Sequence, residues 1–173
     1  MKATDNLILT IFGASGDLAY RKLIPSIYDL SVQNLLPDCF AILGVGRSEL
    51  TDDAFREKMM AGIKEFAKQD TSDSDKILDF LRQLYYVSIN TKDSDTYIKL
   101  KNRQDELDAQ CNTSGNVLYY LSVPPSLYEI IPKSLAAQGM NHSDKGWRRL
   151  DIEKPFGYDL VTAQNLNRNL LAY

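Results

Sequence analysis

The sequence predicts a doubly wound α/β fold built around a mainly parallel sheet. Five short apolar, β-rich segments alternate with longer segments of helical periodicity along the 173 residues. Strands that are separated by helices form parallel β-α-β units with right-handed crossovers. A glycine-rich loop directly follows the first apolar segment and opens a helix, which is the context of a dinucleotide-binding fingerprint. With no repeat or low-complexity linker, we expect one Rossmann-type domain over residues 1–173.

The strand segments are rich in apolar and β-branched residues and end at glycine, proline or polar turns. The first is a continuous apolar run that stops at Gly13, which is typical of a strand buried on both faces of a sheet. The fourth is stopped by Pro124-Pro125 and the fifth by Pro155. The predicted strands are 7–12, 40–45, 85–89, 117–123 and 148–153.

The helical segments carry apolar residues at spacings of three and four. Segment 17–34 has this spacing, with Pro25 near its start, and Thr51 offers a cap for the next helix. The stretch 70–75 is polar and reads as a loop. Segment 93–111 is strongly charged with one apolar side, which predicts a surface helix. The predicted helices are 17–34, 54–66, 77–84, 93–111, 127–137 and 160–171, the last interrupted by the end of the chain.

Composition excludes several classes of protein. The net charge of −3 provides no basic footprint for nucleic acid. No apolar run approaches the roughly 18 residues of a membrane span, and the run before Gly13 is too short for a signal peptide. Cys39 and Cys111 have neither disulfide-framework nor metal-site spacing, so we expect two reduced thiols and no metal. These features indicate a cytoplasmic protein without nucleic-acid or membrane partners.

The strongest chemical signal is the loop that follows the first strand. It reads Gly13, Ala14, Ser15, Gly16, Asp17, Leu18, Ala19. The first glycine permits the turn, the second lets the backbone approach a pyrophosphate, and the helix N-terminus binds the anion. The spacing is Gly-x-x-Gly-x-x-Ala, not the usual Gly-x-Gly-x-x-Gly, so a plain glycine turn stays open as an alternative. A P-loop is excluded because no Gly-Lys-Ser/Thr follows.

The end of the second strand distinguishes between the two dinucleotides. An acidic residue there binds the ribose 2′-hydroxyl of NAD, whereas an arginine accommodates the 2′-phosphate of NADP. The strand ends in Gly46-Arg47-Ser48, so Arg47 favours NADP as the cofactor. Lys22, one turn into the first helix, is a second cation for the phosphate field. Both residues also fit a solvated surface role.

Two further strand ends carry candidate site residues, because ligands of open α/β sheets bind outside the carboxyl ends of strands. The Pro124-Pro125 pair fits a stiff turn under the nicotinamide half, or a simple strand stop. Lys154 precedes a proline, which favours extended backbone and an ammonium over the cleft, with Glu153 orienting it. An exposed Lys–Glu pair of negligible energy is the alternative.

Taken together and in order, these motifs resemble those of the glucose-6-phosphate dehydrogenase family over essentially the whole chain. The matching segments are 13–19, 21–23, 44–48, 120–125 and 153–157. The resemblance implies oxidation of C1 of glucose 6-phosphate to the lactone with reduction of NADP, at the entry to the oxidative pentose phosphate route. It also implies an enzyme that assembles as a homo-oligomer through a second domain.

Carried over position by position, the resemblance assigns roles to individual residues. Gly13 to Ala19 would cradle the pyrophosphate, and Arg47 would hold the 2′-phosphate with help from Lys22. Tyr128 would contact the cofactor. Lys154 would touch both the nicotinamide side and the sugar phosphate. Pro155 resembles a family proline found as the cis isomer.

One family element is missing from this sequence. The family's catalytic histidine lies in an Arg-Ile-Asp-His-Tyr-Leu-Gly segment, and no such segment occurs here. His142 lies in a polar loop far from every motif, so we expect no catalytic residue in this chain and a general base beyond Tyr173. The expectation is an inactive piece of a longer enzyme that lacks its substrate and dimerisation domain.

Two other functions remain as alternatives. The first is a small Rossmann protein that senses NADP without catalysis. The second is a short-chain dehydrogenase or nucleotide-sugar enzyme, which would carry a Tyr-x-x-x-Lys pair on a helix. We expect no such pair at Tyr97 or Tyr128.

Overall fold

The computed structural model describes residues 5–173, which form a five-stranded, all-parallel sheet in the order β3-β2-β1-β4-β5. The strands are β1 (Leu7–Phe12), β2 (Phe40–Gly46), β3 (Leu84–Ser88), β4 (Val117–Leu121) and β5 (Arg148–Ile152). The chain winds outward from β1 to β3 and then returns to β4 on the other side of β1. The predicted doubly wound, Rossmann-type topology is therefore confirmed. Its switch point, where ligands of such sheets bind, lies between β1 and β4.

Six helices cover the two faces of the sheet in the described part of the chain. They are α1 (Ile24–Val32), α2 (Asp52–Phe66), α3 (Ser74–Leu81), α4 (Tyr97–Cys111), α5 (Ile130–Ala137) and α6 (Leu160–Leu170). Successive side chains of a strand point to opposite faces. Ile8 of β1 accordingly joins a core cluster with α4, α5 and α6, and Ile11 joins a second cluster with α1, α2 and α3. Within the described residues, no helix is both long and apolar enough to cross a membrane.

The first helix passes its proline without breaking. It begins at Asp17, widens into a π-helical turn over Ala19–Leu23 and continues as α1. In that turn the N–H of Ile24 donates to the carbonyl of Ala19, five residues back. Pro25 cannot donate a hydrogen bond and its ring would crowd the carbonyl four residues earlier. The wider turn gives the ring space, so the helix predicted for 17–34 is confirmed as far as Val32.

Side-chain caps set the starts of three later helices. The Thr51 hydroxyl accepts a hydrogen bond from the N–H of Ala54 (3.1 Å) and caps α2 as predicted. Asp73 and Asp159 cap α3 and α6 in the same way. The acidic residues that follow these caps belong to the first helical turn. For this reason α2 begins two residues, and α3 three residues, before the start that was predicted from the first apolar residue.

Several predicted boundaries are wrong. The helix predicted for 77–84 ends at Leu81, and Leu84 is already the first residue of β3. β4 ends at Leu121 instead of continuing to 123, because the chain turns there toward the proline pair. The helix predicted for 127–137 is divided into a 3₁₀ turn at Pro125–Leu127 and α5. The final helix ends at Leu170, one residue before the predicted end, and the chain then tightens into a turn in which the N–H of Ala172 donates to the carbonyl of Asn169 (3.3 Å), three residues back.

Candidate functional site

The glycine loop is clamped between the ends of β2 and β4. Gly13 has φ of +83°, which favours glycine, and a Cβ there would collide with the carbonyl oxygen of Ser122. The N–H groups of Gly13 and Ala14 both donate to the carbonyl of Val45, at 2.8 and 3.1 Å. The turn is thus fixed by backbone contacts to two neighbouring strands.

Within the loop, the residues divide between structural and exposed roles. Ala14 is fully buried and packs against the position of Gly44, where a Cβ would lie 2.9 Å from its methyl group. The N–H of Gly16 donates to the Gly13 carbonyl (2.9 Å). At the start of the helix, the N–H groups of Asp17 and Leu18 have no intrahelical partner. They are the groups that a phosphate would meet, with the positive end of the helix dipole behind them.

Gly13 and Arg47 line the same cavity, which we call the loop cavity. It has a volume of about 440 Å³, and Ser15 and Gly16 contribute to the same wall. A separation of these residues to opposite sides of the sheet would have excluded a shared nucleotide site. The volume lies in the usual range for a small-molecule or cofactor pocket.

A second cavity, the β3 cavity, shares Arg47 and Asn90 with the loop cavity. It has a volume of about 690 Å³, and Glu49 and Lys99 also line it. Lys92, together with Asn90, lines the loop cavity. None of the four polar residues Glu49, Asn90, Lys92 and Lys99 was predicted from the sequence. Only residues 90 and 92 have a signal in the sequence, which is their position soon after β3. The carboxyl end of β3 adjoins that of β2.

Two contacts from other elements hold the loop and the segment after β2 in place, and neither was predicted from the sequence. The Lys58 ammonium of α2 donates to the Ser15 carbonyl (2.6 Å). The hydroxyl of Tyr86 donates to the Ser48 carbonyl (3.0 Å), and burial raises the pKa of this tyrosine. A Cβ on Gly46 would collide with the same hydroxyl. Small residues at the end of β2 therefore leave room for β3 to support the site.

The ends of β4 and β5 form a third cavity, the β5 cavity, of about 380 Å³. Leu18, Tyr128 and Lys154 line it together with the proline pair. Tyr128 is almost fully buried, and its hydroxyl donates to the backbone carbonyl of Glu153 (3.0 Å). Lys154 is exposed, and its peptide bond to Pro155 is cis, as the resemblance implied. The structure thus places the predicted nicotinamide-side residues around one opening beside the switch point.

Glu153 does not orient the Lys154 ammonium as expected. Its carboxylate accepts hydrogen bonds from the hydroxyl of Tyr120 and, at 3.3 Å, from the backbone N–H of Lys154. Burial and the nearby Glu153 carboxylate raise the pKa of Tyr120. Among the described residues, no carboxylate lies within 4.0 Å of the Lys154 ammonium. The carboxylate instead fixes the backbone at the end of β5.

Three predicted cofactor residues, Ala14, Asp17 and Lys22, line none of these three cavities. Ala14 is buried beneath the loop and Asp17 begins the helix, whereas Lys22 stands more than one turn further along the helix. It lies exposed on the π-helical turn. Its neighbour Arg21 is held near Asp17 (3.9 Å) and over the ring of Phe66, 5.0 Å from the centroid. A role for Lys22 in phosphate binding stays a prediction.

The prediction that no Tyr-x-x-x-Lys pair occurs at Tyr97 was wrong, because Tyr97 and Lys101 stand four residues apart on α4. Tyr97 is fully buried, its hydroxyl donates to the Thr91 carbonyl (3.0 Å), and burial raises its pKa. The Lys101 ammonium donates to the Gln138 carbonyl (3.1 Å). Neither group faces a cavity described above, so the pair is structural. His142 is 81% exposed in the loop before β5.

Comparisons with known proteins agree with this geometry. Residues 10–173 match the family model described as glucose-6-phosphate dehydrogenase, NAD binding domain. The chain is 49% identical over 167 residues to glucose-6-phosphate 1-dehydrogenase of Aggregatibacter actinomycetemcomitans, covering 96% of this chain and 33% of that protein. It is 45% identical over 166 residues to the protein of the same name from Treponema pallidum, covering 96% of this chain and 32% of that one.

Solved structures show the same likeness. A glucose-6-phosphate dehydrogenase in complex with its substrate glucose-6-phosphate superimposes with a TM-score of 0.85 and 31% identity, over 99% of this chain and 35% of that one. Glucose-6-phosphate 1-dehydrogenase from Mycobacterium avium gives a TM-score of 0.81 and 30% identity, over 98% and 34%. The chain therefore spans about a third of the length of the curated relatives it matches.

Proposed function

The chain belongs to the glucose-6-phosphate dehydrogenase family, and we propose that it is the NADP-binding part of an enzyme that oxidises glucose 6-phosphate to 6-phosphoglucono-1,5-lactone. The choice of NADP rests on one observation: Gly13 and Arg47 both line the loop cavity. A pyrophosphate on the helix N-terminus leaves the adenosine ribose at the end of β2, within reach of a guanidinium there.

In this proposal the residues of the loop divide the work of binding. The N–H groups of Ser15, Asp17 and Leu18 bind the pyrophosphate, while Gly13 and Gly16 allow the close approach of the backbone. Ala14 acts from beneath the loop, since its side chain is fully buried. Arg47 pairs with the 2′-phosphate from the end of β2.

At the other end of the cofactor, the β5 cavity receives the nicotinamide. The bound cofactor supplies the hydride chemistry, and the protein supplies orientation and electrostatics. Tyr128 fixes the backbone of Glu153 through its hydroxyl, which positions the exposed Lys154 beside the cavity. We propose that this ammonium binds the phosphate of the sugar substrate.

The base, the walls of the sugar site and the oligomer contacts are proposed to come from the polypeptide that the relatives have in addition. The structure is compatible with such a partner domain on the face formed by β5 and α6. Large apolar side chains are exposed there: Phe156, Tyr158, Leu160, Val161 and Leu171. Exposed apolar patches of this kind are characteristic of protein–protein contacts. The complete enzyme is proposed to work in the cytoplasm, in the pentose phosphate route.

The proposal is tested by measuring the dissociation constants of NADP and NAD for the 173-residue chain by calorimetry. Arg47→Ala is expected to weaken NADP about tenfold or more and NAD far less, because only NADP loses a charge-assisted hydrogen bond. Equal losses for both cofactors would show that Arg47 does not read the 2′-phosphate. The isolated chain is expected to form no NADPH from glucose 6-phosphate, and measurable turnover would contradict the assignment of the base to another segment.

A further inference from the structure

Three cations, Arg47, Lys92 and Lys99, line the loop and β3 cavities. Five lysine and arginine residues elsewhere in the described chain form ion pairs, among them Arg56 with Asp53 (3.0 Å) and Arg82 with Asp79 (2.7 Å). In the described part of the chain, no carboxylate oxygen lies within 4.0 Å of the side-chain nitrogens of Arg47, Lys92 or Lys99. Most cations of the described chain likewise lack a carboxylate partner, so these three are distinguished by their position: they line two cavities whose linings share Arg47 and Asn90, and this concentration of positive charge points to an anionic ligand.

Lys92 projects from a turn that is held rigidly at the end of β3. The Asn90 side-chain oxygen accepts a hydrogen bond from the Lys92 N–H (3.2 Å), and the Asn90 carbonyl accepts one from the N–H of Asp93 (2.9 Å). Thr91 between them is buried, and its carbonyl is bound by the Tyr97 hydroxyl. The base of the lysine is thus fixed, and its flexible side chain lines the loop cavity that also contains Arg47.

Lys99 approaches from a different element. It lies in the first turn of α4, where Tyr97 and Leu100 are fully buried and so fix the rotation of the helix. This rotation leaves Lys99 exposed, and it lines the β3 cavity together with Arg47. The linings of the two cavities together hold these three cations and one carboxylate, Glu49, which leaves an excess of two positive charges. A phosphate monoester carries about −1.5 to −2 at neutral pH, which matches that excess.

We propose that Lys92 and Lys99 form with Arg47 a three-cation cradle for the phosphate on the 2′ position of adenosine. The selectivity for a 2′-phosphorylated dinucleotide then comes from β2, the turn after β3 and α4 together. This inference rests on the proposed function, since it concerns the same bound cofactor. On this proposal, the preference for a 2′-phosphate depends on Lys92 and Lys99 as well as on Arg47.

The test uses two ligands that differ only in the 2′-phosphate, adenosine 2′,5′-bisphosphate and adenosine 5′-monophosphate. Calorimetric titrations compare the unmodified chain with Lys92→Ala, Lys99→Ala and the double variant. Each single variant is expected to weaken the bisphosphate by about fivefold, and the double variant by more, with the monophosphate little affected. Lys145→Ala is the matched control: it removes one exposed lysine before β5, at the opposite edge of the sheet, and is expected to change neither ligand.

The outcomes separate this inference from the proposed function. If the unmodified chain binds the two ligands equally, the preference for NADP itself is wrong. If it prefers the bisphosphate and both lysine variants retain that preference in full, only the cradle is refuted. A parallel loss of both ligands also refutes it, because the lysines would then act on the whole nucleotide. Circular dichroism and thermal midpoints equal to those of the unmodified chain establish that the variants are folded.

Discussion

A Cβ atom on Gly13 would fall inside the van der Waals radius of the Ser122 carbonyl oxygen. The two backbones are this close because the N–H of Ser122 donates to the carbonyl of Phe12 (3.0 Å), so β4 remains paired with β1 up to the loop. The first glycine of the motif is therefore required by the packing of strand ends as well as by a ligand. The switch point of the sheet is where both requirements meet.

We expect Gly13→Ala to lower the free energy of unfolding by about 2–5 kcal/mol. The left-handed φ of +83° costs about 1–2 kcal/mol for a residue with a side chain, and the clash with Ser122 adds about 1–3 kcal/mol. Urea denaturation of the chain measures the change. Gly139→Ala is the control, because Gly139 also has positive φ (+65°) but nothing lies within 4 Å of its Cβ position. Equal costs at the two positions would contradict the packing argument.

Asp52 connects three elements, and its removal is expected to cost about 2–4 kcal/mol. One carboxylate oxygen accepts a hydrogen bond from the Tyr86 N–H (2.7 Å) and the other from the Arg103 guanidinium (2.6 Å). Asp52→Ala leaves both partly buried donors without this acceptor. Asp79→Ala is the control, because its pair with Arg82 is exposed and should contribute less than about 1 kcal/mol. Similar costs for the two variants, measured by urea denaturation, would show that the Asp52 contacts add nothing.

The parts of the site that were predictable are those encoded in consecutive residues. The buried run of β1, the glycine after it and Arg47 at the end of β2 each have a local signal. Because the carboxyl ends of parallel strands share one edge of the sheet, the topology alone brings such residues together. Lys154 could be predicted in the same way from its position at the end of β5. The Glu153 carboxylate, however, accepts a hydrogen bond from the backbone N–H of Lys154 and does not contact the ammonium.

The missed residues come from the crossover helices and from the turn after β3. Lys58 and Lys99 stand at ordinary charged positions of α2 and α4, and nothing in the sequence separates them from solvated lysines. Their roles depend on the rotation of each helix, which the packing of distant buried side chains decides. The Tyr97–Lys101 spacing shows the converse: a motif can occur on a helix whose packing buries it.

Gln104 is a buried polar residue whose loss is expected to cost about 2–4 kcal/mol. Its amide nitrogen donates to the Thr10 hydroxyl in the centre of β1 (2.8 Å), and its side-chain oxygen lies 3.2 Å from the Tyr119 hydroxyl. Gln104→Ala leaves a cavity and removes a partner from these buried hydroxyls. Gln110→Ala, on the exposed side of the same helix, should change the free energy of unfolding by less than about 0.5 kcal/mol. A cost for Gln104→Ala within that limit would refute the network.

The folded chain is expected to lose stability in alkali because burial raises the pKa of several thiol and phenol groups, among them Cys111 and Tyr119. Burial raises the pKa of Cys111 from 9.0 to about 12, with the adjacent Cys39 thiol adding to the shift. Burial likewise raises the pKa of Tyr119 from 10.0 to about 12. The unfolded chain releases these protons at lower pH than the folded chain does. Their contribution is therefore fully present below about pH 9 and is lost as the pH rises toward 12.

The slope of the free energy of unfolding against pH tests this expectation. Each group can contribute at most about 1.4 kcal/mol per pH unit in its window, and Cys111 less, because it is only partly buried and solvent screens its thiolate. Urea denaturation between pH 8 and 11 should give a shallower decline for Cys111→Ala than for the unmodified chain. Tyr119→Phe should have a lower free energy of unfolding at pH 8, because it loses the hydrogen bond to the Met140 carbonyl (2.9 Å). Its free energy of unfolding should then fall less steeply with rising pH than that of the unmodified chain. Slopes identical to that of the unmodified chain in both variants would show that these groups do not govern the alkaline transition.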